Sequence, residues 1–169
     1  ANKLAIAEAD ERIDEIAKDI LQHYKDNIYP NGFKAQLVCV SRRACVKYYD
    51  ALNKHMDDFF EEPLEAKVIY SCENNEQPYL KAHRTTKPEQ DKIIDRFKMT
   101  LEEDRLSIII VKDMLLTGFD APIEQVMYLD RPLREHTLLQ AIARTNRTFV
   151  RETEEINEKG EVVKHTAAK

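Results

Sequence analysis

Four short apolar runs constrain this chain more than anything else in it. AQLVCV (35–40), AKVIYS (66–71), RLSIIIV (105–111) and QVMYLD (125–130) are each too short to be a core helix and nearly continuous in apolar character. That is how strands read when a sheet is buried on both faces. Amphipathic stretches separate most of them. KLAIAEADERIDEIAKDILQHY (3–24) repeats its apolar residues at helical spacing and is broken by Pro30 and Asn31-Gly32. RRACVKYYDALNKHM reads as a helix behind Ser41, a candidate N-cap. KPEQDKIIDRFKM carries Pro88 in its first turn. EHTLLQAIARTNR (135–147) is the last clear helix. The order α-β-α-β-α-β-β-α predicts an open, mainly parallel α/β sheet covered by helices.

Such sheets place ligands at the carboxyl ends of their strands. Attention therefore falls on Ser41-Arg42-Arg43, Lys112-Asp113 and Asp130-Arg131. The polar stretch CENNEQPYLKAHRTT (72–86) reads as a surface loop, in which Lys81, His83 and Arg84, with Lys87 just after it, are either solvated or face DNA, and the charged tail 149–169 as a loop or loose hairpin around Lys159-Gly160.

Composition removes several function classes. With only three glycines there is no GxxxxGK[ST], no GxGxxG and no GxSxG. No acidic box follows a strand to hold magnesium. The five histidines have no metal-ligand spacing. Three cysteines without CxxC spacing read as reduced thiols of a cytoplasmic protein. No apolar run approaches the length of a membrane span. The start, Ala1–Asp10, has no signal-peptide character and reads as the beginning of an excised fragment. A net charge of -5 argues against a broad basic face, so any nucleic-acid contact must be local. If the chain does chemistry, it supplies half of a site.

Two segments carry that half. In IIIVKDMLLTGFDAP (108–122) a strand runs into Lys112, then Thr117, Gly118 and Asp120. Backbone amides and a hydroxyl there can meet a phosphate beside a fixed carboxylate; a plain βα connection with Asp120 as a cap accounts for the same residues. In LLQAIARTNR (138–147), Gln140, Arg144 and Arg147 lie on one helical face. Guanidinium forks suit phosphate oxygens; a solvated face paired with Glu135 or the acidic tail is the other reading.

Taken in order and separated by one strand, the two segments resemble motifs V and VI of superfamily 2 helicases and translocases. TGFDAP is similar to their G-x-D segment, QAIARTNR to their Q-x-x-G-R-x-x-R, and LVCVSRRACVKYYDAL (37–52) to motif IV and its helix. The likeness is greatest to the motor (restriction) subunit of type I restriction-modification enzymes, through DMLLTGFDAP, LDRPL and LLQAIARTNR, and covers residues 3 to about 148. Ala143 stands where many members have Gly, and Lys112 where others often have Thr.

The resemblance implies a RecA-like domain with helices on both faces, a P-loop-type fold lacking its own P-loop. It divides the chain into a leading helix and turn (1–30), a second motor domain (31–148) and the tail (149–169). It implies ATP and Mg2+ held mainly by an absent first motor domain. Arg144 and Arg147 then reach the nucleotide phosphates with Gln140 assisting, Gly118 and Asp120 approach the nucleotide, and Ser41, Arg42, Lys112 and Thr117 touch the DNA backbone. The implied partners are double-stranded DNA, the first motor and nuclease domains of the same parent, and methylation and specificity subunits, with no membrane. Two alternatives stand beside it. One is the second motor domain of another superfamily 2 helicase, which would lack an upstream nuclease core. The other is a non-enzymatic α/β interaction module, in which Arg144→Ala leaves ATP turnover by the parent unchanged.

Overall fold

The computed structural model describes residues 3–70, 76–112, 121–130, 151–156 and 162–167. Two helices, α1 (Lys3–Ala7) and α2 (Asp10–His23), lead into a π turn (Tyr24–Ile28), a 3-10 turn (Tyr29–Asn31) and Gly32. Strand β1 (Lys34–Cys39), helix α3 (Arg42–Phe59), strand β2 (Glu65–Ile69), helices α4 (Pro78–Ala82) and α5 (Lys87–Lys98), and strands β3 (Leu106–Val111) and β4 (Glu124–Asp130) follow. β5 (Arg151–Ile156) and β6 (Val162–Ala167) complete a sheet of order β2-β3-β1-β4-β5-β6. The first five strands are parallel; β6 runs antiparallel to β5. The tail thus holds two strands that pair with each other, the first of which also joins the edge of β4.

The four apolar runs form the four strands expected of them, within one residue at most ends. β1 and β3 are buried along their whole length because helices cover both faces. One layer packs Ile13, Ile16 and Ile20 of α2 and Tyr48 and Leu52 of α3 against Leu37, Ile108, Ile110, Val126 and Tyr128. The other packs Phe97, Ile93 and Ile94 of α5 against Val38, Ile109, Val111, Met127 and Leu129. Register shifts at Glu65/Ala66 and Lys34/Ala35 leave Ser107 and Gln125 as extra residues, and across Ser107 the alternation changes phase, so Leu106 joins the layer of Ile109 and Val111 while Ile108 and Ile110 face the other.

Local chemistry sets the helix ends. Ser41 caps α3 by accepting from the Ala44 amide at 3.0 Å. Thr86 and Glu89 form a capping box at α5, with Pro88 in its first turn. Gly32 has φ of 77°, which favours glycine at the turn into β1.

Two expectations are corrected. The helix expected over 3–24 is broken: Ala9 is extended, with ψ of 129°. Alanine and glutamate do not break helices by propensity. Side chains hold the break instead: Lys47 Nζ, from α3, donates to the Glu8 carbonyl at 2.5 Å, and Arg12 Nη1, which also grips Asp130, donates to the Ala7 carbonyl at 3.0 Å. The stretch expected to be an irregular loop holds α4, whose Leu80 is buried and whose carbonyl accepts from Tyr70 Oη at 2.8 Å. No helix among the described residues is long and apolar enough to cross a membrane.

Candidate functional site

Parallel pairing brings the carboxyl ends of four strands to one edge. Cys39 faces Asp130, and both Val38 and Ile69 face Val111. Ser41 and Arg42 leave β1 at this edge, and Lys112 leaves β3. The structure therefore brings together three of the residues singled out in the sequence. Thr117, Gly118, Asp120, Gln140, Arg144 and Arg147 lie outside the described residues, in segments that continue from β3 and β4.

Each residue at the edge has a defined environment. The Ser41 hydroxyl, besides capping α3, donates to Glu8 Oε1 at 2.8 Å. Arg42 Nη1 donates to Glu76 Oε1 at 2.5 Å and is half-buried. Arg43 Nε donates to the Tyr79 hydroxyl at 2.8 Å, its guanidinium 6.0 Å from that ring. Lys112 is half-buried and its side chain has no salt-bridge partner among the described residues.

At the centre of the edge is Asp130, with its side chain 3% exposed. Arg12 grips it with Nη2 at 2.7 Å and Nη1 at 3.1 Å, and the Tyr48 hydroxyl donates to it at 2.5 Å. The paired carboxylate raises the Arg12 pKa, while burial pushes the Tyr48 phenol well up. Burial also pushes up the Cys39 thiol, which neighbours Cys45 and keeps its proton. This cluster fixes the point from which the chain continues towards Gln140 and Arg144. Sequence reading marked Asp130 as a strand-end residue but missed Arg12 and Glu8, which meet the edge only through packing of α2.

The lower edge of the sheet has the opposite character. Asp57 and Asp58 at the end of α3, Glu61 and Glu62 before β2, and Glu102 and Glu103 before β3 are all exposed. Lys34 is buried there at the start of β1, donating to the carbonyls of Arg96 and Asp104 at 3.3 Å each. Arg96 is engaged by Asp104 and Glu65.

Residues 84–166 match the family model of domain 3 of the type I restriction enzyme subunit R. A Methanocaldococcus jannaschii protein described as the MjaVIIP type I restriction enzyme endonuclease subunit is 39% identical over 150 residues, covering 82% of this chain and 14% of that protein. The HindI endonuclease subunit of Haemophilus influenzae is 37% identical over 150 residues, covering 86% of this chain and 14% of its own length. The chain thus spans a small part of these relatives. Among solved structures, a fragment described as an HsdR subunit of a type I restriction enzyme from Vibrio vulnificus is similar in fold. Its TM-score is 0.58 at 18% identity, over 95% of this chain and 34% of that one.

Proposed function

The chain belongs, as a domain, to the R-subunit family of type I restriction enzymes, and from this we propose that it is the second RecA-like motor domain of an ATP-dependent DNA translocase. In this reading the domain spans residues 31–148 and contributes motifs IV, V and VI to an ATP cleft shared with a first motor domain. The nuclease domain, methylation subunit and specificity subunit lie elsewhere in the assembly. One observation carries the reading. The segments holding the three motifs leave β1, β3 and β4 at a single edge of the sheet.

Electrostatics agrees with that assignment. The exposed acids Asp57, Asp58, Glu61, Glu62, Glu102 and Glu103 sit at the amino edge, while the carboxyl edge carries Lys112, without a salt bridge among the described residues, beside Arg42, paired with Glu76, and Arg43, which meets Glu8 at 3.7 Å. A chain of net charge -5 can still meet a polyanion when its charges are separated this way. Contacts from Ser41, Arg42, Lys112 and Thr117 to phosphates are blind to sequence, as a translocase requires.

Bound ATP with magnesium supplies the phosphoryl group to be transferred. Arg144 and Arg147 neutralise charge that develops on it, Gln140 positions the attacking water, and Gly118 and Asp120 approach the nucleotide. Among the described residues no three His, Cys, Asp or Glu side chains converge to hold a metal ion. The reading assigns the magnesium ligands mainly to the first motor domain, as the resemblance implies.

The test is DNA-stimulated ATP hydrolysis by the full-length subunit with its partner subunits. Arg144→Ala is expected to lower turnover by roughly a thousandfold or more while nucleotide binding largely persists. Unchanged turnover would overturn the assignment in favour of an interaction module.

A further inference from the structure

The polar stretch between β2 and α5 has no part in the reading above. Beside it, along the outer edge of β2, lies a cavity of about 500 Å³. Lys67 of β2, His83 and Arg84 of the α4–α5 connection, and Lys92 and Arg96 of α5 line it; Glu89 is the acidic residue on its wall among those described. The charges are not equally available. Arg96 is taken by Glu65 and Asp104, and the Glu89 carboxylate accepts from the Thr86 amide at 2.6 Å. Lys67 shares Glu65 at 3.2 Å. Arg84 and Lys92 are exposed and have no salt bridge among the described residues.

These cations continue those of the carboxyl edge. Arg43 lies against Tyr79 of α4, and Lys81 is exposed further along α4. The connection bearing His83 and Arg84 is pinned to the end of β2 by the Thr85 amide and hydroxyl, both donating to the Tyr70 carbonyl at 3.0 and 3.2 Å. Arg42 is paired with Glu76 and Arg43 meets Glu8 at 3.7 Å, so the exposed cations without a salt bridge among the described residues on this side are Lys81, Arg84 and Lys92. Arg84 and Lys92, exposed and in no salt bridge among the described residues, are the cations of this groove most open to a polyanion.

We propose that this groove is a second DNA-backbone contact, in which Arg84, Lys92 and Lys67 hold phosphates of one strand of the duplex. It rests on the motor-domain reading and extends the track from the carboxyl edge to the side of the domain. A peptide adding to β2 as a further strand fits less well, because the Tyr70 carbonyl is occupied by Thr85 and the 83–85 connection lies across that end of the edge.

The experiment is a titration of the full-length subunit, assembled with its partners, against a labelled duplex lacking any recognition sequence, at a series of salt concentrations. The Arg84→Gln/Lys92→Gln pair is expected to weaken binding and to reduce the slope of log affinity against log salt by ~1.8, two phosphate contacts at about 0.9 each. Lys25→Gln, exposed on the turn after α2, is the control and leaves the slope unchanged. Both altered side chains are exposed, so folding is retained, and an unchanged Tm verifies it. Wild-type slope in the double variant overturns the proposal, and so does weaker binding with no change in slope. Weakened subunit assembly with DNA binding intact also overturns it, in favour of an acidic protein surface. Failure of the motor-domain reading is separate: it appears as Arg144→Ala keeping full ATP turnover, whatever the salt slope.

Discussion

Arg12 and Asp130, 118 positions apart, form a two-pronged ion pair at 2.7 and 3.1 Å that joins the leading helix to the carboxyl end of β4. Removing one partner of such a pair leaves a charge in a site from which water is largely excluded. Arg12→Ala is expected to destabilise the chain by about 3 kcal/mol, since the Arg12 side chain keeps 18% exposure and some solvent reaches the pair. Urea denaturation checks this. Arg12→Ala/Asp130→Ala should lose clearly less than the sum of the two single changes, and additive losses would mean that the pair is not coupled.

Ser41 has a structural duty as well as a place at the candidate DNA edge. Ser41→Ala removes the cap of α3 and is expected to cost about 1 kcal/mol, read as a lower urea midpoint at unchanged slope. Ser41→Asn keeps a capping oxygen and should recover most of that stability. If the hydroxyl also meets DNA in the parent, the weaker duplex binding of Ser41→Ala will persist where stability has been restored by a second-site change.

Lys34 gives a pH signature. Burial lowers its pKa from 10.5 to about 8. Below about pH 8 the ammonium is charged in both folded and unfolded chains, and the folded state bears the whole desolvation cost. Between about 8 and 10.5 the unfolded chain binds the extra proton, so stability attributable to this group rises with pH. Lys34→Met should remove that rise. The comparison is between the stability-versus-pH curves of the two proteins, and parallel curves would refute the assignment. Because Lys34 also donates to two carbonyls at the end of α5, Lys34→Met leaves those acceptors unmet and offsets part of its own gain near neutrality.

Gln36 is fully buried in the central strand, and neither its amide oxygen nor its nitrogen has a hydrogen-bond partner among the described residues. Its neighbours in register are Ile109 and Met127. Gln36→Met keeps the volume and removes two unsatisfied polar groups, so it is expected to stabilise the chain by about 1–2 kcal/mol. A higher Tm confirms this; a lower one would show that the amide is paired in solution.

The strands were legible because their signal is local. A run such as SIIIV has one use in a chain of this size, and helices between parallel strands follow from the need to cross back over the sheet. Ser41, Pro88 and the Thr86–Glu89 box were legible for the same reason: a cap acts within four residues. Motif spacing pointed to the candidate site, yet spacing says nothing of which charges around it remain available. That Arg96 is consumed by Glu65 and Asp104 while Arg84 and Lys92 are not is invisible in a string where all three are simply basic.

The sequence by itself determined the α/β class, the four apolar strands and the family, because periodicity, capping and motif order are properties of neighbouring residues. Tertiary structure decided what depends on residues far apart. It met the helix break at Glu8 with Lys47, seated Asp130 between Arg12 and Tyr48, placed β1 between β3 and β4, and brought Arg84 and Lys67 to the wall of one cavity. None of these has a local cause. Each arises because burying apolar faces of the sheet brings particular polar groups together, and buried polar groups must then find one another.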